Sequence, residues 1–177
     1  MEKTLNREEI YKGKVIQIVK DDVELDDGSH TVRELVLHNG GVCIALKDKS
    51  DNKYYMVKQY RIAQGKEMLE FCAGKIEKGE DTDAAIYREA IEETGFEATN
   101  VKKFGYMVPT CGYSSEKIHL YYGEAGNKVG QHLDVDERID TYKYSFKEIK
   151  EMIKNGTIDD GKTIALVLHI EMAGIDE

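Results

Sequence analysis

The stretch that most restricts this chain runs from Gly74 to Phe96, GKIEKGEDTDAAIYREAIEETGF, because it demands a helix with one side crowded by acid. Asp81 or Thr82 can cap the start, and Gly95 supplies a left-handed stop just after Thr94. On a wheel of about 100° per residue, Ala84, Ile86, Tyr87, Ala90 and Ile91 fall on one side. Arg88, Glu89, Glu92 and Glu93 fall on the other, their carboxylates inside an arc of roughly 100°. Glu89 and Glu93 are like charges at i, i+4, a pairing that costs an isolated helix about 0.2–0.5 kcal/mol. Local rules broken in this way often mark functional sites, and a hard cation would turn the repulsion into coordination by carboxylate oxygens. Taken alone, the helix leaves open a second reading, a solvated acidic face with Arg88 as partial counterion.

Around this helix the chain reads as strands. Period-two or continuous apolar runs predict them near Val15–Val19, Val32–His38, Gly41–Leu46, Tyr54–Tyr60, Val101–Val108, Ile118–Gly123 and Ile139–Tyr144. Asp26-Asp27-Gly28 is a turn between the early runs. A second helix is expected from Ser145 to Gly156, with Phe146, Ile149 and Ile153 at helical spacing, and a third from about Lys162 to Met172. Many strands and few helices in a non-alternating order predict an α+β domain.

With 177 residues the chain suits one well-packed domain. Its net charge of −9 disfavours a nucleic-acid partner and makes a phosphorylated substrate hard to hold without divalent cations, which reverse the local field. Cys43, Cys72 and Cys111 are odd in number and widely spaced, and the histidines include no i, i+4 pair, so neither a disulfide framework nor a zinc site is expected. The polar residues 1–14 and the lack of an apolar run near 18 residues predict a cytoplasmic protein with no membrane partner.

The Gly74–Phe96 segment satisfies G-x5-E-x7-R-E-U-x-E-E-x-G-U, with U an apolar residue, at every defined place: Gly74, Glu80, Arg88, Glu89, Ala90, Glu92, Glu93, Gly95 and Phe96. From ordinary residue frequencies a chance match is rarer than about one in a million. The segment resembles a complete Nudix box. That resemblance implies an α/β/α sandwich with a mixed sheet, extended at its N-terminus by antiparallel strands. Residues 1–40 would be a dimer-forming strand region and residues 41–177 the hydrolase domain. It further implies that the Ala73 carbonyl, Glu89, Glu92 and Glu93 hold two or three Mg²⁺ ions, with Mn²⁺ able to substitute. Arg88 would orient the carboxylates and Glu80 support them.

The likeness extends past the box. Gln59-Tyr60-Arg61, the run Leu69 to Lys75, the Asp27-Gly28 turn followed by Arg33-Glu34, Pro109 to Glu116, and Ile158 to Thr163 resemble segments of the ADP-ribose pyrophosphatase subfamily in order and spacing. Cys72 and Cys111 stand where that subfamily usually has proline; GDP-mannose pyrophosphatases can carry cysteine at the first place. The resemblance implies hydrolysis of a nucleoside diphosphate sugar, ADP-ribose giving AMP and ribose 5-phosphate, by a homodimer. GDP-mannose is the alternative substrate, and a catalytically inactive ADP-ribose sensor the alternative class. Arg33, Glu34, Arg61, Gly112, Ser114 and Glu116 would contact substrate, partly across the dimer. Arg61 offers a planar fork suited to phosphate oxygens. The acidic loop Leu133–Ile139 would supply the base, Glu137, with Asp134 and Asp136 as rivals. Gly156–Thr163 also matches the P-loop pattern, but a helix precedes it and Asp159 and Asp160 would face the phosphates, so it is expected to be a turn opening the last helix.

Overall fold

A computed structural model describes residues 1–133 and 138–176. Among these residues the chain divides into two compact units, Met1–Gly40 with Val108–Lys117, and Gly41–Met107 with Ile118–Glu177.

The first unit is an antiparallel sheet of β1 (Lys3–Lys12), β2 (Ile16–Glu24) and β3 (His30–His38), in that order. β1 escaped the sequence reading because its few apolar residues, Leu5, Ile10 and Tyr11, show no period-two pattern. Pairing with β2 makes it a strand: Arg7 lies opposite Asp21 in register and grips that buried carboxylate through Nε and Nη2 at 2.7 and 2.6 Å. Asp26-Asp27-Gly28 does form the turn before β3, with Gly28 at φ 80°.

The second unit is built on a mixed sheet of β4 (Gly41–Asp48), β5 (Lys53–Arg61), β8 (Phe96–Met107), β9 (Ile118–Lys128) and β10 (Ile139–Ser145), ordered β10-β5-β4-β9-β8. Short strands β6 (Lys66–Glu70) and β7 (Cys72–Lys75) pair with β5 and β4. β4 and β9 run parallel and the other pairings are antiparallel. The helices are α1 (Thr82–Glu89), continued by a π-helical turn at Ala90–Thr94, then α2 (Phe146–Lys154) and α3 (Gly161–Met172). Ser145 caps α2 through a capping box with Glu148, and Asp160 caps α3. None of these helices is long and apolar enough to cross a membrane.

Successive strand residues point to opposite faces, and β4 uses this to serve two layers. Cys43 and Ala45 pack with Phe146, Ile149, Leu166, Val167 and Ile170 of α2 and α3. Val42, Ile44 and Leu46 pack with Ala85, Ile86 and Ala90 of the box helix. The unit is therefore an α/β/α sandwich of the expected α+β class. Each fully buried aliphatic side chain contributes roughly 1.5–3 kcal/mol.

Candidate active site

The box helix begins where Asp81 accepts a hydrogen bond from the Asp83 N–H at 2.8 Å. It ends at Gly95, whose φ of 78° lets its N–H reach the Ile91 carbonyl at 2.8 Å. Between these ends the structure corrects the wheel drawn from sequence. The buried side is Ala85, Ile86, Glu89, Ala90 and Glu93, while Ala84 and Tyr87 are exposed. Two of the three carboxylates thus lie on the inward side. The cause lies partly in the π-helical turn, whose wider winding displaces residues after Glu89 from α-helical positions; such turns cluster at functional sites.

Arg88 organises the acids. Its Nε and Nη2 each donate to Glu80 at 2.9 Å, and its Nη1 donates to Glu89 and to Glu92, each at 2.8 Å. Nη2 also donates to the Lys75 carbonyl at 3.1 Å, tying the helix to β7. The Glu80 bonds, followed by those of Glu89, push the Arg88 pKa further up, and Arg88 holds Glu80 below the usual carboxylate range. Glu93 accepts from the Ala73 N–H at 2.9 Å. A Cβ added at Gly74 would lie 1.9 Å from Glu89 Cδ, so the Glu89 carboxylate occupies the space that the missing side chain leaves. Cys72 donates from Sγ to the Glu89 carbonyl at 3.3 Å, which gives this departure from proline a place in the site.

Ala73, Glu80, Arg88, Glu89, Glu92 and Glu93 are thus brought together. Among the described residues no three His, Cys, Asp or Glu side chains close on a common point as a finished cation cage. Arg88 draws Glu89 and Glu92, and the Ala73 amide draws Glu93. The donor set nevertheless fits a hard divalent ion, since it is all oxygen, and Gly74 leaves room for a carboxylate against the backbone.

The remaining expected residues fall in different places. Arg61 ends β5 and bonds Glu70 through Nε and Nη2 at 2.7 and 2.6 Å. Glu70, Asp160, Lys162 and Thr163 form a polar network with it, buried at Glu70 and Thr163, that the sequence reading did not assign; the available signal was a glutamate set among apolar Leu69 and Phe71. Arg33 and Glu34 belong to the first unit, where Arg33 pairs with Glu2 and Glu34 lies opposite Lys20. Gly112, Ser114 and Glu116 are in the same unit: Ser114 bridges to Val36, and Glu116 lies 3.5 Å from His38 Nδ1. Glu137, with Asp134 and Asp136, lies outside the described residues. The described neighbours of that segment reach the box helix. His132 N–H donates to the Glu92 carbonyl at 3.1 Å, and both Gln131 and Thr141 donate to the Glu93 carbonyl.

An α/β/α sandwich presenting this acidic helix beside Gly74 is the class that sequence comparison returns. Residues 37–167 match the family model described as NUDIX domain. The chain belongs to the Nudix family of hydrolases. It is 36% identical over 173 residues to a protein of Bacillus methanolicus named methanol dehydrogenase activator, covering 97% of this chain and 93% of that one. It is 31% identical, with the same coverage, to an ADP-ribose pyrophosphatase of Bacillus subtilis. A GDP-mannose pyrophosphatase of Shigella flexneri is 30% identical over 80% of this chain and 78% of its own length. A crystal structure titled ADP compounds hydrolase superposes with a TM-score of 0.84 at 17% identity, covering 97% of this chain and 92% of that one, a likeness of fold.

Proposed function

We propose that the chain hydrolyses the pyrophosphate bond of a nucleoside diphosphate sugar, ADP-ribose being the substrate and AMP and ribose 5-phosphate the products. The observation that carries this reading is the convergence of Glu80, Glu89 and Glu92 on Arg88, with Glu89 seated over Gly74 and Glu93 on the Ala73 amide. The Bacillus subtilis relative supports the choice of ADP-ribose.

Glu89, Glu92 and Glu93, with the Ala73 carbonyl, are the residues that would hold Mg²⁺, or Mn²⁺ in its stead. Such cations, when bound, neutralise diphosphate oxygens and lower the pKa of an attacking water. Arg88 orients Glu89 and Glu92 from the side, and Glu80 fixes Arg88. Arg61 binds and orients the substrate, as do Arg33, Glu34, Gly112, Ser114 and Glu116, partly across the dimer. Glu137 takes the proton of the water, and anchoring of the neighbouring His132, Gln131 and Thr141 on the box helix supports this choice. The free thiols fit a reducing, cytoplasmic setting. The exposed edge strand β1, with Leu5, Ile10 and Tyr11 open to solvent, supports a homodimer.

The deciding experiment measures products from a panel of nucleoside diphosphate sugars with and without Mg²⁺, and adds Glu137→Gln. ADP-ribose should be cleaved fastest, only with metal, and about 100-fold or more slowly by the variant. Equal turnover without metal would reject the mechanism. GDP-mannose cleaved far faster would transfer the assignment to the substrate favoured by Cys72 and the Shigella relative. A chain that binds ADP-ribose without cleaving it would be a sensor, which the intact set of box carboxylates opposes. The name of the Bacillus methanolicus relative favours a second reading, activation of a dehydrogenase, tested by assaying methanol dehydrogenase with and without this chain.

A further inference from the structure

The Gly156–Thr163 run, a P-loop pattern without a P-loop's setting, has no part in the chemistry above. It is nevertheless laced at three points to β6, the strand that leads into the box. Lys66 at the start of β6 pairs with Asp159. Lys162 Nζ donates to the carboxylate of Glu70 at its end. The N–H of Phe71, one residue on, donates to Thr163 Oγ1 at 2.9 Å. Asp160 holds the run in shape, accepting from Thr163 N and Oγ1 at 3.0 and 2.6 Å and from Lys162 Nζ at 2.9 Å.

Glu70 is 1% exposed and sits between two cations, Lys162 and Arg61. Removing one partner of such a buried set leaves a charge uncompensated, so the cluster has one favoured arrangement. Arg61 gives Glu70 only Nε and one hydrogen of Nη2. A guanidinium carries five N–H donors, and the others, on Nη1 and the far side of Nη2, make a second edge. The Arg61 side chain is 37% exposed, and the Glu70 it grips lies three residues before Ala73, whose N–H holds the box acid Glu93 at 2.9 Å.

We propose that Asp160, Lys162 and Glu70 are positioning residues for Arg61, locking its guanidinium so that the uncommitted edge meets the diphosphate of the substrate. This rests on the substrate reading above. A free arginine at the end of a strand would lose rotamer freedom on binding. The carboxylate beneath Arg61 has already taken that freedom away, which is preorganisation.

The test is a double-mutant cycle read on KM for ADP-ribose. Glu70→Gln keeps the side-chain shape and removes its charge. In the native background it should raise KM about tenfold and change kcat by less than about twofold, and in Arg61→Ala it should raise KM no further. Lys162→Met should raise KM in the same direction, and Lys162→Arg should restore it. Equal factors for Glu70→Gln with and without Arg61, or a loss confined to kcat, would overturn the proposal, since a merely structural defect does not depend on Arg61. If the native chain cleaves no nucleoside diphosphate sugar, the substrate reading fails by itself. The same cycle is then read on calorimetric binding of magnesium pyrophosphate. Coupling through Arg61 upholds the arrangement; equal losses, or no binding by the native chain, discard it.

Discussion

Residue by residue, Gly74 is where spacing and geometry meet most directly. The box pattern calls for glycine at this place, and the structure shows the atoms that need the room, those of the Glu89 carboxylate. Because Arg88 holds that carboxylate and little of Glu89 is exposed, an added methyl group cannot be absorbed by swinging it aside. Gly74→Ala should therefore slow ADP-ribose turnover by about 100-fold or more, as small misplacements at reacting centres do, with helix content by circular dichroism unchanged. Normal turnover in that variant would show that the carboxylate is not needed there. The box residues were legible because their spacing is local: Glu80, Arg88, Glu89 and Glu92 lie within one loop and helix. The Glu70–Lys162 pair was not, because 92 positions separate its members and no periodicity links them.

At the level of strands and helices, legibility followed burial. Strands with an apolar pattern, such as β4 and β5, and the start of α2 at Ser145 could be read directly, whereas the cap of the box helix was open between Asp81 and Thr82 and is Asp81. β1 could not, since its pairing rests on a charge, Arg7 on Asp21, and not on alternation. The π-helical turn was hidden because a wheel assumes uniform winding, and this is why Glu93 was placed outward and found buried. One set of ties between strands makes a pH prediction. Asp48, the last residue of β4, accepts from Lys143 of β10 at 2.8 Å and from the Ser50 hydroxyl at 2.6 Å. Lys143, then Ser50, holds its pKa well below the usual carboxylate range. A carboxyl depressed on folding contributes stability above its unfolded pKa of about 3.9 and loses it as pH falls through the folded value. Asp48→Asn should thus cost roughly 1–2 kcal/mol at pH 7 and progressively less below pH 4, where its denaturation midpoint approaches that of the native chain. A cost that stayed constant with pH would assign the effect to packing.

For the molecule as a whole, Arg61 belongs to one compact unit and Arg33, Glu34, Gly112, Ser114 and Glu116 belong to the other. The first unit ends in β1, every residue of which is exposed. Sedimentation velocity should give twice the chain mass of 20.1 kDa, and Ile10→Glu should shift the protein toward monomer. A native chain that stays monomeric at all concentrations would reject the dimer. β4 carries the widest obligation in the second unit, because Val42, Cys43, Ile44, Ala45 and Leu46 are all fully buried and answer alternately to two helical layers. Among descendants of this chain that strand should drift least of all, though none of its side chains is proposed to touch substrate. A run of unchanging positions there would be a record of steric fit, and reading it as a signature of chemistry would send the search for the reacting groups to the wrong strand.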